Sequence, residues 1–170
     1  PRFYAWFGFD GGDYSSKIAN GEPLKIELRN GDKQGYNPAK FNRDNNVTGY
    51  FSQKYIMPKL AVNASGGWNI ESKPRPLVRL AELYLNLAEA YANLGEDAKA
   101  IETLNVIRER AGVPDLKTSD ITSDMSIVKW AQNERFIELW GEGHRYYDVR
   151  RWMHAPETMG QNMRTGVNAY

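Results

Sequence analysis

The strongest constraint in this sequence is a helical periodicity that begins near residue 76 and holds to residue 152. Leu80, Leu83, Tyr84, Leu87, Ala88 and Tyr91 recur at spacings of three and four, which places them on one face of a helix. Pro74 and Pro76 suit its start, because proline in the first helical turn forfeits no hydrogen bond. Gly95 ends it. Glu96 and Asp97 then favour the positive end of a second helix. Its stripe is Ala100, Ile101, Leu104, Ile107 and Ala111, closed by Gly112 and Pro114. A third helix is predicted from about Ser123 to Trp140, with Ile127, Trp130, Ala131, Ile137 and Trp140 apolar. Gly141-Glu142-Gly143 ends that one, and His144 is expected in the turn that follows.

The first two helices fit one tetratricopeptide-type repeat, whose period is about 34 residues. Tyr84-x2-Leu87-Ala88-x2-Tyr91 matches its first helix and Ala100-x3-Leu104 its second. A small side chain at Ala88 lets the second helix approach at Ala100, and Tyr91 and Leu104 fill the space beside that contact. One repeat cannot bury both its faces, so neighbours are expected from the third helix and from chain outside this sequence. The match alone also fits a generic helical hairpin or a scaffold that binds protein or peptide.

The first 75 residues have a different texture, rich in Gly, Asn and aromatics. The run Phe3-Tyr4-Ala5-Trp6-Phe7-Gly8-Phe9 predicts a short strand, broken by Asp10-Gly11-Gly12-Asp13. Leu24, Ile26 and Leu28 alternate with polar residues, as in a half-buried strand, and Asn30-Gly31 predicts a tight turn. Ser65-Gly66-Gly67 predicts an exposed loop before Trp68. The expected organisation is one domain portion in three parts: loop-rich 1–75, helical 76–152 and an irregular tail 153–170. The fold class is mainly α, a tetratricopeptide-like helical scaffold with an irregular region containing short strands.

Composition narrows the function classes. The 170 residues carry 22 Lys plus Arg against 21 Asp plus Glu, which argues against a partner bound through phosphate neutralisation, so no nucleic acid is expected. The chain has no cysteine, which excludes disulfides, thiolate metal sites and cysteine nucleophiles. No stretch approaches the ~18 apolar residues of a membrane span. His144 and His154 lack a metal-ligand spacing, and no metal site or cofactor is expected. Asp10-Gly-Gly-Asp13 and Asn42-x-Asp44-Asn45-Asn46 could offer oxygens to calcium, but neither matches an EF-hand loop.

The polar pattern on the helices is more specific. Arg79-Leu80-Ala81-Glu82-Leu83-Tyr84-Leu85-Asn86-Leu87-Ala88-Glu89-Ala90, then Asn105-x2-Arg108-x-Arg110-Ala111-Gly112, then Glu134-Arg135-x2-Glu138-Leu139-x2-Glu142-Gly143-x-Arg145-Tyr146-Tyr147-Asp148-Val149-Arg150-Arg151-Trp152 form three linked blocks. They resemble, in order, the C-terminal motifs of the SusD/RagB family of outer-membrane nutrient-binding proteins. Weaker echoes are Pro1-Arg2-Phe3-Tyr4 and Gly49-Tyr50-Phe51-x2-Lys54-Tyr55-x2-Pro58. The resemblance implies non-catalytic binding of a glycan, an outer-membrane and externally facing location, and a SusC-like TonB-dependent transporter as partner. It also implies a lipid anchor and further repeats upstream of Pro1, in a longer protein.

Glu134 and Glu138 fall on the core-facing stripe of the third helix, where an unpaired charge is very costly. An arginine–carboxylate network is therefore expected, with Arg79, Arg108, Arg110, Arg145 and Arg150 as candidate donors and Asp148 among the acceptors. It would tie residues 141–152 back onto the helices. The alternative, that Glu134 and Glu138 form a glycosidase pair, is disfavoured because arginine-rich surroundings leave no general acid. Sugars need exposed aromatic faces edged with hydrogen-bonding groups. The helices place their aromatics on core stripes, so the loop aromatics Trp68, Trp6, Tyr14 and Tyr36 are the candidates. Asn69, Asn63, Asp10 and Asp13 could supply hydrogen bonds.

Overall fold

The computed structural model describes residues 1–17, 23–32, 34–37, 46, 48–56, 61–62, 68–69 and 76–160, and leaves the side chains of 14–17, 23–24, 61–62 and 68–69 outside that description. The chain forms two compact units. One is Pro76–Met163 with Pro1, and the other is Arg2–Arg75 with Arg164–Tyr170.

In the helical unit, α2 (Leu80–Asn93) packs on α3 (Asp97–Arg110) and on α4 (Ile127–Glu138). Helix α1 (Arg2–Trp6) belongs to the other unit. Ala88 of α2 and Ala100 of α3 are both fully buried, and Leu104 lies in the same core. Gly95 holds φ 74, the left-handed conformation that ends a helix without a Cβ penalty.

The buried face of α2 differs from the expected one. It is Ala81, Leu85, Ala88, Glu89 and Ala92, while Leu80, Leu83 and Leu87 are exposed within this chain. Close helix packing selects the alanine face and turns the larger leucines outward. Pro76 lies four residues before the helix, separated from it by a bend and by Arg79 in extended conformation (φ −107, ψ 146), and Pro74 lies outside the described residues. Helix α4 begins later than predicted, where the Ser126 hydroxyl accepts from the Lys129 N–H.

Two further helices, α5 (His144–Arg151) and α6 (Ala155–Met159), were not expected. His144 opens α5 instead of sitting in a turn. Helix α6 replaces part of the irregular tail, and 161–170 lie outside the described residues. Asn105 bonds Leu116 in both directions, Nδ2 donating to its carbonyl at 3.0 Å and Oδ1 accepting its N–H at 2.8 Å. That pair pins the segment after α3 onto the hairpin.

In the loop-rich unit the aromatic run is α1 for its first part, and only Phe7–Phe9 is a strand, β1. Aromatic strand preference depends on neighbours, and pairing with β4 begins only at Phe7. Strand β1 pairs antiparallel with β4 (Tyr50–Ser52), Gly8 opposite Phe51. A second sheet runs β3-β2-β5-β6, formed by Pro23–Lys25, Asp13–Lys17, Ala61–Val62 and Trp68–Asn69. Of the strand expected over Leu24, Ile26 and Leu28, only Pro23–Lys25 forms as β3; Ile26 and Leu28 lie beyond it, buried between exposed Lys25, Glu27 and Arg29. The Asp32 N–H donates to the Arg29 carbonyl at 2.9 Å, closing the Asn30-Gly31 turn, with Gly31 at φ 90.

Candidate functional site

The buried face of α4 is charged. Glu134 is 1% exposed, Glu138 0% and Arg135 5%, alongside Ile127 and Ala131. Ile137, predicted to point inward, is 37% exposed. Each buried charge is met. Arg79 grips Glu142 with two bonds (Nε to Oε2, 2.7 Å; Nη2 to Oε1, 2.6 Å) and reaches Glu138 Oε1 and the Glu138 carbonyl, each at 3.2 Å. Burial works against the charge on Arg79, but the bonds from Glu142 and Glu138 outweigh it and raise its pKa. Arg110 Nη2 meets the same Glu138 oxygen at 2.5 Å. Arg108 Nη1 donates to Glu134 Oε2 at 2.9 Å, its Nε donates to the Pro114 carbonyl, and its guanidinium lies over the Trp130 ring.

A second chain of bonds joins α2, α4 and α5. Arg135 donates through Nε to Asp148 Oδ2 at 2.7 Å and through Nη1 to Asn86 Oδ1 at 2.6 Å. Arg151 donates to the other Asp148 oxygen at 3.0 Å. It also grips Glu89 bidentately, at 2.5 and 2.6 Å, and Trp152 Nε1 adds a third bond to Glu89. Burial alone would raise the Glu89 pKa, but the Arg151 and Trp152 bonds reverse that and hold it below the ordinary value. The Glu89 bonds in turn raise the pKa of Arg151.

The structure thus brings Arg79, Arg108, Arg110, Glu134, Glu138 and Asp148 into ion pairs. Arg145 is a correction. Among the described residues it has no carboxylate partner, and its guanidinium lies 4.4 Å from the Phe136 ring centroid. Sequence reasoning missed Arg135, Glu89, Arg151 and Asn86 as members. The signal was present: Glu82, Asn86 and Glu89 recur at four and three residues, a polar stripe beside the alanine face of α2.

In the loop-rich unit, Phe3 is the hub of an aromatic cluster. Its ring centroid lies 5.4 Å from Phe7, 5.5 Å from Phe9 and 6.0 Å from Tyr50, and Tyr4 stands edge-on to Phe9 at 5.7 Å. Phe3, Tyr4 and Tyr50 remain exposed, Tyr4 at 71%. Gly8 leaves room for the buried Ile26 side chain, since a Cβ there would stand 2.7 Å from Ile26 Cδ1. Beside the cluster, Asp10 accepts the Leu28 N–H at 3.0 Å and Arg29 Nε at 2.9 Å; the first of these bonds is the larger cause of its lowered pKa.

Of the predicted aromatics, Trp6 is half-buried under Lys54 Nζ, 4.1 Å from the ring centroid, and Tyr36 is 38% exposed. The side chains of Tyr14, Trp68 and Asn69 lie outside the described residues, as does Asn63. The Trp68 backbone is in β6, opposite Val62. Both carboxylates proposed for calcium already face cations, Asp10 with Arg29 and Asp13 with Lys25 at 2.5 Å. Asn46 Oδ1 caps the Thr48 and Gly49 N–H groups, and Asn42, Asp44 and Asn45 lie outside the described residues. Among the described residues no three His, Asp or Glu side chains form a metal cluster, and no helix is long and apolar enough to cross a membrane.

Comparison with known proteins decides the family. The SusD family model matches residues 1–170. The chain belongs to the SusD family. A SusD-like protein of Formosa agariphila, P38, is 36% identical over 90 residues, which cover 49% of this chain and 18% of that protein. Among solved structures of similar chains, BT4246 is 54% identical, with a TM-score of 0.91, over 99% of this chain and 28% of that one. A SusD-like protein from Bacteroides fragilis, BF3747, is 34% identical with a TM-score of 0.73, over 92% of this chain and 28% of that one. This chain therefore spans 18% to 28% of the length of these relatives. The mainly helical, tetratricopeptide-like fold expected from the sequence is the fold it shares with them.

Proposed function

We propose that this chain is part of a non-catalytic binding protein that captures glycan at the bacterial outer membrane, facing outward on a lipid anchor, and passes it to a SusC-like TonB-dependent transporter. The observation that carries the reading is the SusD-family match over the whole chain. Two features of the molecule support it. Glu134 and Glu138, the carboxylates placed for glycosidase chemistry, are buried and held by Arg108, Arg79 and Arg110, so neither can reach a glycosidic oxygen. The exposed rings of Phe3, Tyr4 and Tyr50 offer the apolar faces on which sugar rings stack. The helical unit then serves as the scaffold and the loop-rich unit as the source of ligand contacts.

The second reading is a tetratricopeptide-type scaffold for protein or peptide, favoured by the Ala88–Ala100 helix hairpin. A glycan array on the full-length protein separates the two. Binding to at least one saccharide class is expected. Binding to a peptide with no saccharide bound would overturn the glycan reading.

A further inference from the structure

We draw no further inference here: the strongest candidate, the surface patch that Leu80, Leu83 and Leu87 form on the exposed face of α2, carries nothing because nothing in the structure shows what covers it.

Discussion

Arg135 Nε donates to Asp148 Oδ2 across 2.7 Å, with the two side chains 6% and 4% exposed. The bond spans thirteen residues and joins α4 to α5. Helix α5 buries only Asp148 and Val149, so this ion pair and the Arg151 pair with Glu89 of α2 are its main polar ties to the rest of the unit.

Removing Arg135 should therefore be severe. Arg135→Ala leaves Asp148 buried with half its partners, and an orphaned buried charge costs about 3–5 kcal/mol. Urea denaturation should show that loss, and the double variant Arg135→Met with Asp148→Leu should recover most of it. A single variant within about 0.5 kcal/mol of wild type would rule out a structural role for the pair.

Glu138→Gln tests the same network for chemistry. Arg110 would lose its charged acceptor and Arg79 one of its two, keeping Glu142, and stability should fall by about 2–4 kcal/mol. No glycoside hydrolysis should be present in wild type to be lost. A variant that folds with wild-type stability and loses a measurable hydrolytic activity would reverse the assignment.

The helix geometry was largely legible in the sequence, and its failures have one cause. Spacing alone shows which residues share a face, not which of several apolar faces is covered. On α2 both the leucines 80, 83 and 87 and the alanines 81, 88 and 92 are periodic, and the choice between them is made by how closely α3 approaches. On α4 the charges were legible as partners in need, because Glu134 and Glu138 stood on an apolar stripe. Arg135 is buried on α4 beside Ala131, Glu134 and Glu138, whereas Arg145 lies in the first turn of α5, a helix that periodicity does not reveal. Helix α5 carries almost no apolar signal, so periodicity could not find it. The aromatic cluster was legible as composition but not as a surface, because α1 turns three ring-bearing positions, Phe3, Tyr4 and Trp6, through a helix that reads as strand.

Acid should weaken the α2–α5 contact. The folded pKa of Glu89 lies below its ordinary 4.5, so the native state binds fewer protons there than the unfolded chain. Its contribution is fully present above the ordinary value and is lost as pH falls through the depressed one. Thermal unfolding between about pH 5 and about pH 3 should show a falling Tm, with a shallower fall for Glu89→Gln. Equal slopes would mean that Glu89 is not a source of the effect.

For ligand binding, Tyr4→Ala is the informative change, because Tyr4 is exposed and carries little of the fold. Loss of one stacking face should weaken a glycan found on the array by about three- to tenfold, at unchanged Tm. Isothermal titration reads it. Trp68→Ala in parallel tests the position first favoured from sequence, and unchanged affinity in either removes that residue from the site.

Gly35 offers a check on the loop-rich unit. A Cβ at this position would stand 1.9 Å from the Arg29 carbonyl oxygen, which is backbone and cannot swing aside. Gly35→Ala should destabilise this unit by about 1–3 kcal/mol. A hydrogen-exchange map would place the loss around 26–37, and uniform protection there would refute the packing.

The charged face of α4 has a further consequence. An apolar helix face tolerates sliding, because one methyl group replaces another with small loss. Glu134, Arg135 and Glu138 do not interchange: moving α4 by one residue would set arginine against arginine and strand carboxylates without donors. Alternative alignments of the same helices are thereby raised in energy far above the native one, so the network acts less as glue than as a spelling check on how the helices are assembled.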